Sequence, residues 1–547
     1  MPIPDAADFY YLSNFQTVLD WVVSRYADLL SDEELAFAHG FAAAPKQSRA
    51  LLVRMIMRKG QHFRLDKLQY DEIGDIEIAA TPLLINGWLR DDAPLNVDEL
   101  AALLLKNELA AVLPNPSAAR QQSKAVLTAA LAALHPAALT YQQWPGVPDE
   151  QVASLTVSDI CDRFRLLFFG NLAQSWSEFV LTDLGIYRYE QVALSADSRA
   201  FSRRQDMDDY ILLRQCRDAF NEGASVAATL ASLSGFHSDN PWIEQRRQRL
   251  LFQLAQQLER EQRLEQALGL YRRCCHAGAR QRCIRLLEKS GQAQAAYQLA
   301  AQALLAPENE AERQLVQRAV ARLTRKLKLV TPVPAASLQT PEQHLVLPRL
   351  SDKSVERAVA EHLGQSTAPV YYVENTLICS LFGLLCWEAI FAPLPGAFFH
   401  PFHSGPTDLH SADFYPRRRA LFDRCLAQLD SQQYQQTIRE CFQQKQGIQS
   451  PFVFWPLLDQ ALLETALQCI PAAHLKHWFQ RLLGDIKANR AGMPDLIQFW
   501  PAQQRYRMIE VKGPGDRLQD NQRRWLAFCA EHQMPVEVCY VQWQQPA

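Results

Sequence analysis

The sequence has no long hydrophobic run. A membrane-spanning helix needs about 18 or more apolar residues in succession. The closest approach, Leu377 to Phe391, is too short, so no membrane span is expected. The amino terminus, Met1-Pro-Ile-Pro-Asp-Ala, lacks the basic stretch and apolar segment of a secretory signal. Paired CxxC spacings are absent too. The 12 cysteines are scattered, which in a chain without a signal reads as reduced thiols in a cytoplasm. The one cluster, Cys274-Cys275-His276 with Cys283, sets cysteines side by side, a poor geometry for one tetrahedral zinc, and a second half-site is missing. These read as buried or partly buried thiols on a helix. Nor is one charge in excess: 56 Lys+Arg face 59 Asp+Glu, a formal net charge of -3. Nothing global announces nucleic acid.

What is present is ample core material. Hydrophobic residues make up 48% and charged residues 21% of 547 positions, enough for several globular domains. Charge is uneven along the chain. Between Gln245 and Lys289 ten Arg and one Lys stand against four Glu. Such a segment either tracks a phosphate backbone or forms a helical hairpin with a solvated Arg face.

Helical patterning dominates the first two-thirds. Leu51 to Arg58 has apolar residues at helical spacing, with Arg54, Arg58 and Lys59 on the exposed side as candidate DNA contacts. A short strand or turn and a second helix are expected over His62–Tyr70. Residues 95–136 read as two helices, the first capped at Asn96 and the second running from Lys124 to Leu134. Further helix is expected over 160–190, with a short strand near Glu178–Leu181. Residues 210–328 read as all helical, and Leu258–Tyr271 resembles Leu287–Ala300 at an offset of 29, a faint helical-pair repeat. Prolines at 332, 334 and 348 suggest a linker over 329–350.

The chemistry concentrates after residue 351. Leu496–Trp500 and Tyr506–Lys512 read as two strands joined by a turn at Pro501. Side chains two apart on a strand share a face, so Glu510 and Lys512 point together while Val511 packs on the other side. Asp495, opening the first strand, lies across the hairpin from the end of the second. A buried helix is expected over 374–391, a further helix over 516–531 and a strand over 535–541. This α–β–β–α–β order is the core of a restriction-endonuclease-like fold. Two carboxylates suit a hard divalent cation, with the Val511 carbonyl as a third ligand, and Lys512 would orient water or offset phosphate charge. The pair Glu510–Lys512 also fits a plain surface salt bridge. Glu374 and Glu388 lie about 21 Å apart along a helix, so only one can reach the metal. Glu374, at the helix end, is preferred. Gln522, with Asn521 and Arg517, either contacts the scissile phosphate or lies on an exposed polar face. His400, His403, Asp408 and His410 lie among Pro401, Gly405 and Pro406, which favours a loop over a second metal site.

These motifs closely resemble the VRR-NUC nuclease domain, and the wider chain resembles the Fanconi-associated nuclease family in its shorter bacterial form. The matching residues are Arg490-x-Gly492-x-Pro494-Asp495-Leu, Glu510-Val-Lys-Gly-Pro514-x-Asp516-Arg-Leu518, Gln522 with Trp525, and Glu374 followed by Leu381-x-Gly383-Leu-Leu-x-Trp387. Upstream, Tyr10-Tyr-Leu, Arg58-Lys59 and Lys67-Leu-x-Tyr70-Asp-Glu-Ile73 look like the family's winged-helix region. The resemblance implies a multidomain chain, with a mainly α-helical N-terminal two-thirds and an α/β nuclease domain. Its parts are a winged-helix-like domain over 1–94, a SAP-like module over 95–136, a connecting region over 137–209, TPR-like helices over 210–328, a linker over 329–350 and the nuclease over 351–547. It implies a structure-specific DNA nuclease that cuts 5′ flaps, trims 5′ to 3′ and acts in interstrand-crosslink repair with Mg2+ or Mn2+. The metal ligands carried over are Glu374, Asp495, Glu510 and the Val511 carbonyl, with Lys512 and Gln522 catalytic. Branched or 5′-flap DNA is the partner, with Lys487, Arg490 and Arg517 as further candidate contacts and Lys487 the candidate for a 5′ phosphate. A cytoplasmic, nucleoid-associated location follows. No Cys/His spacing for a zinc finger precedes Cys161, so recruitment through ubiquitin is not expected. A four-way-junction resolvase, an RNA nuclease of the same fold, or a non-catalytic DNA-binding scaffold are the alternatives.

Overall fold

A computed structural model of the chain describes residues 9–174, 176, 187–195, 198–329, 340–348 and 354–544. They fall into two compact units, Met1–Tyr187 with Arg199–Met207, and Arg188–Ser198 with Asp208–Ala547. No helix among the described residues is long and apolar enough to cross a membrane.

In the first unit, helices Tyr10–Tyr26, Asp32–Ala43 and Lys46–Ile56 pack around Phe15, Phe37 and Phe41. Helix Asp32–Ala43 opens on a capping box: Ser31 Oγ accepts from the Glu34 N–H and the Glu34 carboxylate accepts from the Ser31 N–H. Glu34 is only 1% exposed and also pairs with Arg163 and Arg204. Glu34→Gln keeps the capping geometry and removes the charge, leaving two arginines without their anion. It is expected to cost roughly 2 kcal/mol, reduced from the cost of a fully buried pair because the arginines are about a third exposed. The readout is an earlier transition in a urea titration.

The expected second helix over His62–Tyr70 does not form. His62–Arg64 is β1, followed by a single 3-10 turn, Leu65–Lys67. Tertiary partners override the local pattern: β1 pairs antiparallel with β5, Val152–Leu155, and the buried Arg64 is held by Glu108 and Glu150. The other neighbour of β5 is β2, Leu89–Arg90. Residues of the expected connecting region thus complete the sheet of the first domain. The module between is an insertion, closed at its base by β3, Pro94–Leu95, on β4, Leu139–Thr140. That module holds four short helices, not two: Val97–Leu103, Lys106–Val112, Pro116–Ala119 and Lys124–Leu134. The first is capped at Asn96 as expected, and the second starts afresh where Glu108 takes the Leu105 N–H. Helix Ser158–Phe169 follows β5. The strand expected near Glu178–Leu181 lies outside the described residues.

In the second unit, Pro241–Arg260 pairs with Leu264–Arg272, and Ala279–Lys289 with Ala293–Leu305, before helix Glu310–Lys326. The offset of 29 is a structural repeat. Each look-alike stretch is a helix end, a turn and the start of the next helix. Gln262 (φ 60) and Gly291 (φ 78) make the same left-handed turn 29 residues apart. The bonds from Arg263 N–H to Leu258 O and from Gln292 N–H to Leu287 O repeat with it. Cys274 and Cys275 lie in the loop after Arg272, not on a helix; Cys274 is buried, Cys275 exposed, and both are free thiols.

The sheet of the second unit has five strands in the order β6-β10-β9-β8-β7. They are β6 Glu342–Leu347, β7 Val370–Tyr372, β8 Leu496–Trp500, β9 Arg505–Lys512 and β10 Val536–Trp543. The β8–β9 hairpin is antiparallel, with Leu496 opposite Ile509, and β10 runs parallel to β9 and to β6. The expected linker over 329–350 is therefore part of the sheet over 342–347, and its stretches 330–339 and 349–350 lie outside the described residues. Met508, Ile497 and Phe499 face a large core with Phe382, Trp478 and Trp525. Leu496, Ile509 and Val511 face a smaller one with Ala358 and Val359 of helix Val355–Leu363. The apolar helix spans Leu377–Leu385, breaks at Cys386 and resumes as Trp387–Ile390. The last helix begins at Asp520, since Gly513 N–H bonds Asp516 Oδ2 and Gly515 turns left-handed at φ 88.

Candidate active site

Asp495 ends the loop that leads into β8. That loop is fixed by Gly492, whose φ is 90 and whose added Cβ would fall 2.7 Å from the backbone carbon of Asn521 and 2.8 Å from its side chain. Only glycine lets the loop lie against the first turn of helix Asp520–Glu531. Beyond it, the Asp495 carbonyl accepts from the Val373 N–H at 2.8 Å, and its Oδ2 accepts from the Val511 N–H at 2.8 Å. The carboxylate is thereby tied to the strand that carries the other acid.

Glu510 and Lys512 share the face of β9 that Met508 occupies in the large core, while Val511 packs on the opposite side. Glu510 is fully buried, Asp495 and Lys512 are each 7% exposed, and Lys512 Nζ stands 2.7 Å from Glu510 Oε1. This is a buried pair, not a surface salt bridge. Although the two are in ionic contact, the angles are not those of a hydrogen bond, and neither Glu510 oxygen has a hydrogen-bond partner among the described residues. Burial, then the charge of Asp495, pushes the Glu510 carboxyl up to about 8 against the pull of Lys512. Asp495 rises to about 6, mainly by burial, with Val511 N–H opposing and Glu374 adding.

Two buried, mutually repelling carboxylates with unmet lone pairs fit a hard divalent cation, whose charge inverts that penalty. The same shifts predict how the metal-free chain behaves. Glu510 binds a proton more tightly folded than unfolded, so its contribution is full below the ordinary carboxylate range and is lost as pH rises towards about 8. In chelator, the stability of the second unit is expected to fall between pH 5 and 8, by at most about 1.4 kcal/mol per pH unit for this one group, and its thermal midpoint falls with it. A pH series of melting curves checks this: Glu510→Gln should flatten the slope, and a divalent cation should reduce it.

The Glu374 carboxylate acts electrostatically on both acids. It lies in the turn between β7 and helix Leu377–Leu385, accepting from Tyr372 Oη at 2.5 Å and from Asn375 Nδ2 at 3.1 Å. Among the described residues no three His, Cys, Asp or Glu side chains form a ready-made metal cage, so the carboxylates are close without being preassembled. Glu388 is excluded by geometry: it is exposed and pairs with Arg424. Gln522 is half-buried, and its Oε1 accepts from the Gln519 N–H in the capping box of its own helix.

The candidate DNA contacts divide. Lys487, Arg517, Arg58 and Lys59 are exposed. The other two expected contacts, Arg54 and Arg490, are half-buried and held by partners within the chain. Arg54 pairs with Glu72 at 2.5 Å and lies over the rings of Tyr11 and Tyr70. Arg490 donates to the Pro451 carbonyl and lies over Phe452. His400 is buried and His403 half-buried, their rings stacked at 3.8 Å, and Asp408 is taken by Arg417 and Arg418. Three residues near the centre escaped the sequence reading: Tyr372, Asn375 and Glu356, the last in the first turn of helix Val355–Leu363 and adding negative charge toward Asp495. No spacing marks them, because their placement depends on β7 and on a helix after the expected linker.

Family models match three stretches: the VRR-NUC domain over residues 429–543, the FAN1, HTH domain over 9–90, and the Fanconi anemia-associated nuclease SAP domain over 94–144. The chain is 54% identical over 536 residues to the Fanconi-associated nuclease 1 homolog of Pseudomonas aeruginosa, covering 98% of this chain and 96% of that one. It is 25% identical over 610 residues to the homolog of Arabidopsis thaliana, covering 99% and 68%. A crystal structure described as paFAN1 bound to 2nt 5′flap DNA with gap superposes with a TM-score of 0.95 at 52% identity, covering all of both chains. A second, with a 1nt 5′flap, gives 0.92 at 52% identity, covering 98% and 100%.

Proposed function

Because the chain belongs to the Fanconi-associated nuclease family, we propose that its structure-specific nuclease activity is directed at 5′-flap and branched DNA and runs through Asp495, Glu510, Lys512 and Glu374. The nuclease takes a divalent metal cofactor; the ion is Mg2+ or Mn2+, both of which accept oxygen ligands. The observation that carries the site is the buried Asp495–Glu510 pair beside Lys512, a cluster that burial and mutual repulsion disfavour unless a cation joins it. The two structures of paFAN1 with flap DNA support the substrate.

Asp495, Glu510, the Val511 carbonyl and Glu374 would hold the cation. When bound, it supplies charge neutralisation at the scissile phosphate and favours ionisation of an attacking water. Lys512, fixed beside Glu510, orients that water and offsets the negative charge that builds on phosphorus. Val511 N–H keeps Asp495 aimed, and the buried apolar walls on both sheet faces keep bulk water from diluting these interactions. Gln522 acts at the first turn of its helix, where it also holds the cap. Exposed Lys487 and Arg517 meet the phosphate backbone, and Arg58 and Lys59 of the first unit add DNA contacts. The helical hairpins over 241–326 are a TPR-like scaffold. The enzyme works endonucleolytically and 5′ to 3′ in interstrand-crosslink repair, in a cytoplasm where it joins the nucleoid when acting on DNA.

The test is cleavage of labelled 5′-flap, four-way-junction, single-stranded DNA and RNA substrates with Mg2+. Preferential flap cutting is expected. Junction or RNA cutting with flaps untouched would point to a resolvase or an RNA nuclease and overturn the proposal.

A further inference from the structure

Among the described residues, Asn375 is the one non-glycine residue beside the proposed catalytic centre with a left-handed backbone, φ 54. Asparagine tolerates that region better than most side chains, yet the conformation is retained only where something repays it. The repayment is visible in the side chain. Its Oδ1 accepts from the Met493 N–H at 3.1 Å, and its Nδ2 donates to Glu374 Oε1 at 3.1 Å. The two bonds fix the amide's orientation: a flipped group would set NH2 against an N–H and oxygen against a carboxylate.

One short side chain thus joins two loops. Glu374 and Asn375 lie between β7 and the buried helix, while Met493 stands two residues before Asp495. A parallel backbone bond, Val373 N–H to Asp495 O, lies alongside. From Asp495 the connection continues through the Val511 N–H to the strand that carries Glu510. Tyr372 completes the hold on Glu374 from the other oxygen, although it is 46% exposed. An ionised carboxylate has about four lone-pair positions, so these two donors orient Glu374 and leave it room to bind a cation.

We infer that Asn375 is a positioning residue for the metal centre, clamping Glu374 to the Met493–Asp495 loop so that carboxylates from two separate elements meet one cation in a fixed relation. The inference rests on the proposed assignment of Glu374 and Asp495 as ligands. Neither the Pro-Asp…Glu-x-Lys spacing nor the buried helix points to it, since the role depends on a backbone angle and on contacts 118 residues apart in the chain.

The test is Mn2+ binding to the full chain by calorimetry, paired with flap-cleavage kinetics, for Asn375→Gly, Tyr372→Phe and Glu374→Ala. Asn375→Gly keeps the left-handed backbone and removes only the bridge. It is expected to weaken Mn2+ binding about tenfold, the lower end for groups that orient a metal ligand. It should lower kcat at a given Mn2+ concentration while the KM for DNA stays within about twofold. The exposed Tyr372→Phe cannot unfold the chain through a core defect and should weaken Mn2+ binding in the same direction by about threefold, a smaller share of that orienting effect. Mn2+ affinity within twofold of the parent for both variants, while Glu374→Ala weakens it strongly, would overturn the clamp and leave the site standing. No loss of Mn2+ affinity in Glu374→Ala itself would instead remove the assignment on which the clamp rests.

Discussion

Asp495→Ala is expected to lower kcat/KM for a labelled 5′ flap by about 10^3-fold or more, roughly 4 kcal/mol of transition-state stabilisation, with DNA affinity changed by no more than a few-fold. The size follows from how many connections converge on this carboxylate. It accepts the Val511 N–H, its own carbonyl anchors Val373, and its charge adds to burial in pushing up the Glu510 carboxyl. Removing it takes away a proposed cation ligand and frees the strand end that carries Glu510 and Lys512. Binding of DNA, which the proposal assigns to exposed basic groups, is not built on this residue. A gel-shift titration beside single-turnover cleavage separates the two. Cleavage persisting within tenfold of the parent would mean that the phosphodiester is cut elsewhere.

Gly492→Ala carries the second large effect, through the backbone. At φ 90 a Cβ costs about 1–3 kcal/mol in strain. Here it would also fall inside contact distance of Asn521, whose backbone carbon cannot move without shifting the first turn of the last helix. Together these amount to roughly 2–4 kcal/mol. The strain falls on the loop that ends in Asp495, so activity should drop by about a hundredfold, the penalty for an ångström of misplacement. Hydrogen exchange at the Val511 amide, which bonds Asp495, reports the same loosening. Unchanged protection there, with an unchanged melting profile, would show that the loop absorbs the methyl elsewhere.

How far the sequence reveals this architecture depends on the range of the determining contacts. The β8–β9 hairpin is legible because alternation, a turn proline and a short loop are local properties. Helix starts at Asn96 and Lys124 are legible for the same reason. The strand β6 is hidden: its burial alternates weakly along Glu-Gln-His-Leu-Val-Leu, and only pairing with β10 makes it a strand. So is the sheet of the first unit, whose strands at 62–64 and 152–155 are each too short to show a period. Arg54 and Arg490 look like DNA contacts in sequence because their partners, the Glu72 carboxylate and the Pro451 carbonyl, lie 18 and 39 residues away in the chain. At the proposed catalytic centre the residue types and spacing expose Asp495, Glu510 and Lys512. The hold on Glu374 stays invisible until β7 and Asn375 are placed.

The central claim is that the buried carboxylate pair of the β8–β9 hairpin binds the catalytic cation. Anomalous diffraction from a crystal of the full chain soaked in Mn2+ tests it most directly. The account predicts a peak bridging Asp495 and Glu510, with the Val511 carbonyl as a further ligand and Glu374 turned toward it. A peak elsewhere in the chain, with Glu510 still in contact with Lys512 alone, would contradict it.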